Sequence, residues 1–175
     1  MSPDLEEKLF AIKPEWFDRN NSQESLMCFG FECQDGWYNL LRQILLTLVH
    51  HAKEWEERVG FKKDHESKGE EVPDWLVRYF ETYPEDVFEG FRVDQVKEKF
   101  AMLRFYTNTL PDNYAEGVMD LAGSLSGCIC EVCGGPSKIR SVGSWLLNRC
   151  EPCWDKELEV RAKRKFEVID GNKMS

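Results

Sequence analysis

Between Cys130 and Cys153 the chain reads C-x2-C, sixteen residues, then C-x2-C. Two close thiol pairs at that separation are a donor set for a metal ion, and four sulfurs in tetrahedral array suit zinc. Cys130, Cys133, Cys150 and Cys153 are therefore the expected ligands. A site closed by four protein sulfurs leaves no position for water or substrate, so the zinc is expected to be structural. Cys128 offers a further sulfur beside the first pair. A one-residue gap suits chelation less well than a two-residue gap, which puts Cys128 outside the metal shell.

A second candidate site lies upstream, in Gln95-Val96-Lys97-Glu98-Lys99-Phe100 and Leu103-Arg104-Phe105-Tyr106. Extended chain alternates its side chains, so Lys97 and Lys99 share one face, as do Arg104 and Tyr106. If two strands pair with these faces together, three cations and a phenol converge on a phosphate-bearing or carboxylate ligand, with Trp37 available for stacking. The alternative is a solvated polar face opposite the core. Nucleic-acid binding at the metal end is a weaker expectation: Lys138, Arg140, Arg149, Lys156, Arg161, Lys163, Arg164 and Lys165 make that end basic, but four thiolates around one zinc ion cancel the excess.

Catalysis finds little support. The sequence has three histidines, of which His51 falls on the apolar stripe of a helix, His50 points elsewhere and His65 lies in a polar stretch; a hydrogen-bonded core role is expected for His51. No phosphate loop, nucleophile elbow, paired-histidine zinc motif or dinucleotide fingerprint is present. The expectation leans away from an enzyme and towards a binding protein.

The elements that must position these groups read as α+β: a small antiparallel sheet with flanking helices, plus a C-terminal zinc ribbon. Trp37, Leu40, Leu41, Ile44, Leu45, Leu48, Ala52, Trp55 and Val59 recur at helical steps, with Asp35 expected to cap this helix and Gly60 to end it. The polar run from Lys62 to Glu71 reads as a solvated loop. Pro73-Asp74 opens a short helix that stops before Pro84. Phe91 to Thr107 reads as a hairpin turning near Lys99 to Ala101, and Pro111-Asp112-Asn113 opens a helix ending at Gly127. A ribbon turning at Gly143 and a charged helix from about Trp154 to Phe166 follow. Residues 1–34 have no clean period and read as loop with short pieces. The expected division is a body of residues 1–127 and a metal unit of residues 128–175, packed together.

At 175 residues, with 42% hydrophobic and 13% aromatic content, the chain has enough apolar material for a folded core. Its formal net charge is −9; residues 128–175 carry nine Lys+Arg against seven Asp+Glu, leaving a formal −11 for residues 1–127. Such a body repels phosphate backbones at long range. Seven cysteines, four of them in a metal pattern, suit a reducing compartment. Cys28 and Cys33 read as a redox pair or, on the simpler view, as small apolar filler. No secretory signal or membrane span is evident, so a cytoplasmic location is expected.

Asp35-Gly36-Trp37, Gln95 to Phe100, Leu103 to Tyr106 and the Cys130 pair, in this order, resemble a family of small proteins of bacteriophages and bacteria. The resemblance spans roughly Gly30 to Cys153. It implies a phage-type accessory protein in the bacterial host cytoplasm, acting against host defence, and it implies no reaction; the acidic body and the lack of catalytic motifs add the expectation that it engages a host protein through an acidic, aromatic-rich surface. Where the family usually has glycine this chain has Ala101, and where it often has histidine this chain has Cys153.

Overall fold

The computed structural model describes the backbone of residues 1–171 and the side chains of residues 1–163. In chain order the elements are α1 (Pro3–Phe10), β1 (Phe31–Glu32), α2 (Tyr38–Lys68), α3 (Asp74–Thr82), β2 (Val93–Lys99), β3 (Met102–Thr107), α4 (Asn113–Ser126), β4 (Lys138–Val142), β5 (Trp145–Arg149) and α5 (Glu151–Gly171). The architecture is α+β, with a three-stranded sheet ordered β1-β2-β3 and a separate β4-β5 ribbon. The hairpin β2-β3 is antiparallel as expected, while the two-residue β1 joins β2 in parallel.

The longest helix, α2, buries Leu41, Ile44, Leu45, Leu48, Ala52 and Trp55 along one face. Asp35 does not cap it: a single 3-10 turn over Asp35–Trp37 intervenes, α2 starts at Tyr38, and Asp35 Oδ1 instead accepts from the Ser2 N–H at 2.6 Å. Nor does Gly60 end it. The helix runs on through the polar segment to Lys68 and stops at Gly69, whose φ of 70° gives the left-handed cap. Charge spacing explains the extension. Lys62 pairs with Glu66 at 2.9 Å and Lys68 with Asp64 at 2.7 Å, both one helical turn apart, and Lys62 also reaches Glu85 at 2.5 Å.

Residues 1–34 supply far more of the interior than their sequence suggests. Leu9, Phe10, Trp16, Phe17, Met27 and Phe31 are all buried, and Phe10 meets Phe17 edge-on at 5.0 Å between ring centroids. Glu6 binds the start of β1 by accepting from the Phe31 N–H at 2.8 Å. The core thus lies between α2, the inner face of the sheet and this irregular N-terminal wrap.

Three features set up the candidate sites. Asp112 caps α4 through Oδ1, which accepts from the Ala115 N–H at 2.9 Å, and its Oδ2 lies 2.7 Å from His51 Nε2. His51 is buried there against Tyr114, Trp55 and Phe88, a core histidine with a partner. The β2-β3 hairpin closes on Phe100 and Ala101, with φ of 55° and 63°. The turn is sharp although neither residue is the glycine or asparagine that such left-handed positions favour.

Candidate metal centre

The first cysteine pair sits on a tight knuckle. The Gly134 N–H donates to Cys130 O at 2.8 Å, the Cys130 N–H donates to Gly135 O at 2.7 Å, and Gly134 adopts a φ of 76°. From there β4 and β5 form the expected ribbon, turning at Gly143 with a φ of 59°. The second pair is delivered differently: Cys150 immediately precedes α5, and Cys153 lies in that helix's first turn. A helix N-terminus presents unpaired N–H groups and a positive dipole end, which favours thiolate there.

All four sulfurs lie within 4.8 Å of one another, and Cys133 Sγ is 3.5 Å from Cys150 Sγ. Four thiolates around one tetrahedral zinc stand about 3.8 Å apart, from zinc–sulfur bonds of about 2.3 Å. The residues present therefore fit a four-coordinate metal ion, with Cys128 outside the cluster.

Electrostatics make the same point. Burial opposes ionisation of Cys130, but N–H groups of Cys150, Cys133 and Val132 outweigh it and bring the thiol from its ordinary 9.0 down to about 7. Burial, followed by hydrogen bonding with the other three sulfurs, pushes Cys153 up to about 12. The Gly135 N–H draws Cys133 down, yet its contact with Cys150 and its own burial prevail, and the net direction is upward. Four sulfurs this close cannot all ionise together unless a cation joins them.

The knuckle is fastened to the body by the Asp35-Gly36-Trp37 motif, a role that sequence reasoning missed. The Gly36 N–H donates to Glu131 O at 2.8 Å, and the Trp37 Nε1–H donates to Ile129 O at 2.9 Å. A Cβ on Gly36 would lie 2.5 Å from both Glu131 O and Gly134 N, so only glycine lets the two backbones meet. Glu131, inside the first cysteine pair, is itself buried; it accepts from the Gln34 N–H at 3.2 Å and from Arg149 at 2.8 Å. On the other side Asn148 donates to Ser126 O, and Ser126 Oγ accepts from the Leu103 N–H at 2.8 Å. A polar chain therefore runs from the ribbon through the end of α4 into β3. The signal available in the sequence was the glycine of the D-G-W triplet and a charged residue enclosed between two ligands.

The second candidate site is only partly assembled as expected. Lys97 is the register partner of Arg104, and Lys99 that of Met102, so Lys97, Lys99, Arg104 and Tyr106 do share the outer face of the sheet. Trp37 does not join them: it is 0% exposed, beneath the knuckle. Cys33 is buried, with its thiol pushed up by burial to about 12, and Cys28 is exposed; both are free thiols. Of the basic residues expected at the metal end, Arg140 pairs with Glu151, Arg149 with Glu131 and Arg161 with Glu157. The side chains of Arg164 and Lys165 lie outside the described residues.

One further feature went unread in the sequence. Along α4, Tyr114, Gly117, Val118, Leu121 and Leu125 face Leu40, Ile44 and Thr47 of α2 across an open groove of about 560 Å³. Leu121 is 61% exposed at its edge. No helix among the described residues is long and apolar enough to cross a membrane. No protein-family model matches the chain, and no match is found among curated proteins or solved structures.

Proposed function

We propose that this chain is a protein-binding accessory module whose metal is a structural zinc ion. Its docking site is the groove between α2 and α4. The observation that carries this reading is an apolar channel left open in an otherwise well-packed helix pair, with Tyr114, Leu121 and Leu125 exposed along it. From Asn113 to Leu125 the groove follows α4 for about 18 Å, at 1.5 Å per residue. That suits an amphipathic helix of a partner, with apolar side chains at three- and four-residue steps. No charged side chain lines it, and its polar lining is Gln43, Thr47 and Asn113. The body that surrounds it, formally −11 over residues 1–127, favours a partner helix with basic edges.

Zinc is the metal best suited to four sulfurs in tetrahedral array, with an iron–sulfur centre as the competing occupant. It adds stability and no reaction. The motif resemblance adds the setting: a phage-type protein in a bacterial host cytoplasm, whose partner is a host protein such as a defence component.

The test pairs capture with one substitution. Wild-type protein is used to capture partners from bacterial lysate beside Leu121→Arg, with metal content and Tm measured for both. A host protein held by the wild type and lost from the variant, at equal zinc and equal Tm, is the expected result. Capture of nothing, or of the same proteins by both, overturns the groove as the docking site. Elemental analysis is expected to give one zinc per chain; iron or no metal overturns that assignment.

A further inference from the structure

The outer face of the three-stranded sheet is chemically unlike the rest of the body. Most cations there are neutralised by carboxylates, as in Arg19 with Glu7, Lys62 with Glu85 and Arg92 with Asp94. Lys97, Lys99 and Arg104 stand together on one face and make no ion pair among the described residues. Two of the nearby carboxylates are turned to other work: Glu32 Oε2 accepts from Gln95 Nε2 at 2.7 Å, and Glu98 accepts from the Ala101 N–H; a third, Asp120 of α4, borders the same depression as Arg104 and Tyr106 without an ion pair to them. Lys97 and Arg104 are direct cross-strand neighbours, with Cβ atoms about 5 Å apart.

Two aromatic rings bracket these cations. Tyr106, 41% exposed, pairs with Gln95 at one end of the row, and Phe100, 64% exposed, forms the turn at the other. Lys97 Nζ lies 5.5 Å from the Tyr106 ring centroid, and Lys99 Nζ lies 5.5 Å from that of Phe100. The rings are separated by about four strand positions, or about 14 Å. Phe100 is the telling residue. It holds a left-handed position that glycine or asparagine would fill with less strain, and it buries little in return. Folding gains nothing evident from an exposed phenyl ring there.

We infer that this face binds a short single-stranded segment of nucleic acid, whose phosphates lie on Lys97, Lys99 and Arg104 and whose bases stack on Tyr106 and Phe100. Cations set beside exposed aromatic rings are the general equipment for single strands, because every base offers a π-face. A strand is favoured over a free nucleotide on two grounds. A single nucleotide reaches only one of two rings set this far apart, and the face is open, whereas small ligands are usually enclosed. The acidic body repels phosphate at long range, so the interaction is confined to this face and to a short strand. The inference stands apart from the α2-α4 groove and goes beyond it.

The experiment follows fluorescence anisotropy of labelled short oligouridine and oligothymidine with zinc-loaded full-length protein. Binding is expected at 50 mM salt. Three phosphate contacts give a slope of log affinity against log salt near −2, a loss of about 20-fold between 50 and 200 mM. Lys97→Gln, Arg104→Gln and Tyr106→Leu are each expected to weaken binding at least about five-fold. Phe100→Gly is expected to weaken it similarly while raising Tm, which a purely structural ring does not do. No binding at 50 mM salt, or unchanged affinity in these four variants, overturns the inference. A mononucleotide that competes as well as the oligomer overturns the strand in favour of a small ligand. Tyr106→Leu lies in regular strand and tests stacking independently of the turn.

Discussion

In residues 1–127 the interior is built from large apolar side chains, among them Trp16, Met27, Phe31, Trp37, Leu45, Trp55 and Leu103. Among the described residues from Cys128 onward, the fully enclosed side chains are Cys130, Glu131, Asn148 and Arg149: one sulfur ligand and three polar groups. The body keeps its shape by removing apolar surface from water, at roughly 25 cal/mol per Å². The finger, residues 128–163 held against the body, has no such reserve. Its cohesion must come from coordination and from hydrogen bonds that join it to the body, and small units without a core of their own commonly rely on a metal in this way.

Removing the metal is the hardest test of that contrast. Structural zinc contributes roughly 10–16 kcal/mol in small metal-folded units, so chelation or Cys150→Ser is expected to unfold residues 128–163 while the helices of the body persist. Circular dichroism with hydrogen exchange separates the two regions; a finger that stays protected without metal breaks the comparison. Protons compete with a metal ion for thiolate, so metal retention is expected to fall as pH falls, and titration against a chelating metal indicator reads it directly.

The joint comes next. Arg149→Ala leaves the Glu131 carboxylate buried without its cation and is expected to lower stability by about 3–5 kcal/mol. Gly36→Ala forces a methyl group into the backbone of the knuckle, with an expected loss of about 2–3 kcal/mol. Both are read by denaturant melts of metal-loaded protein. If Gly36→Ala weakens metal retention as well as body stability, the two regions act as one unit; if it affects only the body, they are merely neighbours.

The smallest effect belongs to the body alone. Cys33 has a folded pKa raised to about 12 from 9.0, so its contribution is fully present below pH 9 and is lost as pH rises towards 12. The loss is about 1.4 kcal/mol at pH 10. Cys33→Ala is expected to flatten that alkaline limb of the stability curve, and an unchanged limb assigns it to other groups.

The two regions also differed in how plainly they could be read. Cysteine spacing announced the knuckle, and Gly143 announced the turn of the ribbon, because ligand geometry and left-handed turns restrict residue type position by position. Alternation likewise placed Lys97 with Lys99 and Arg104 with Tyr106, while the register that brings the two couples together is seen only in the folded hairpin. Residues 1–34 resisted because short helices and 3-10 turns leave no sustained period, although Trp16, Phe17 and Met27 are core residues. The polar run after Gly60 misled because its one-turn ion pairs make a helix without an apolar face. Asp35 and Trp37 misled for a deeper reason: their partners, Ser2 and Ile129, are remote in sequence, so local pattern had no access to them. The groove went unseen because Leu121 and Leu125 look like ordinary core positions until the helices are placed.

The bond from the Trp37 indole to Ile129 O spans 92 residues. During synthesis on a ribosome, Trp37 emerges long before the loop that will cover it, and a widely separated contact of this kind is slow to close. Until then a large aromatic surface near the start of the longest helix stands open to water. Closure over Trp37 therefore waits for the segment around Ile129, and a cell short of metal would carry chains whose body helices are formed but whose indole is left uncovered.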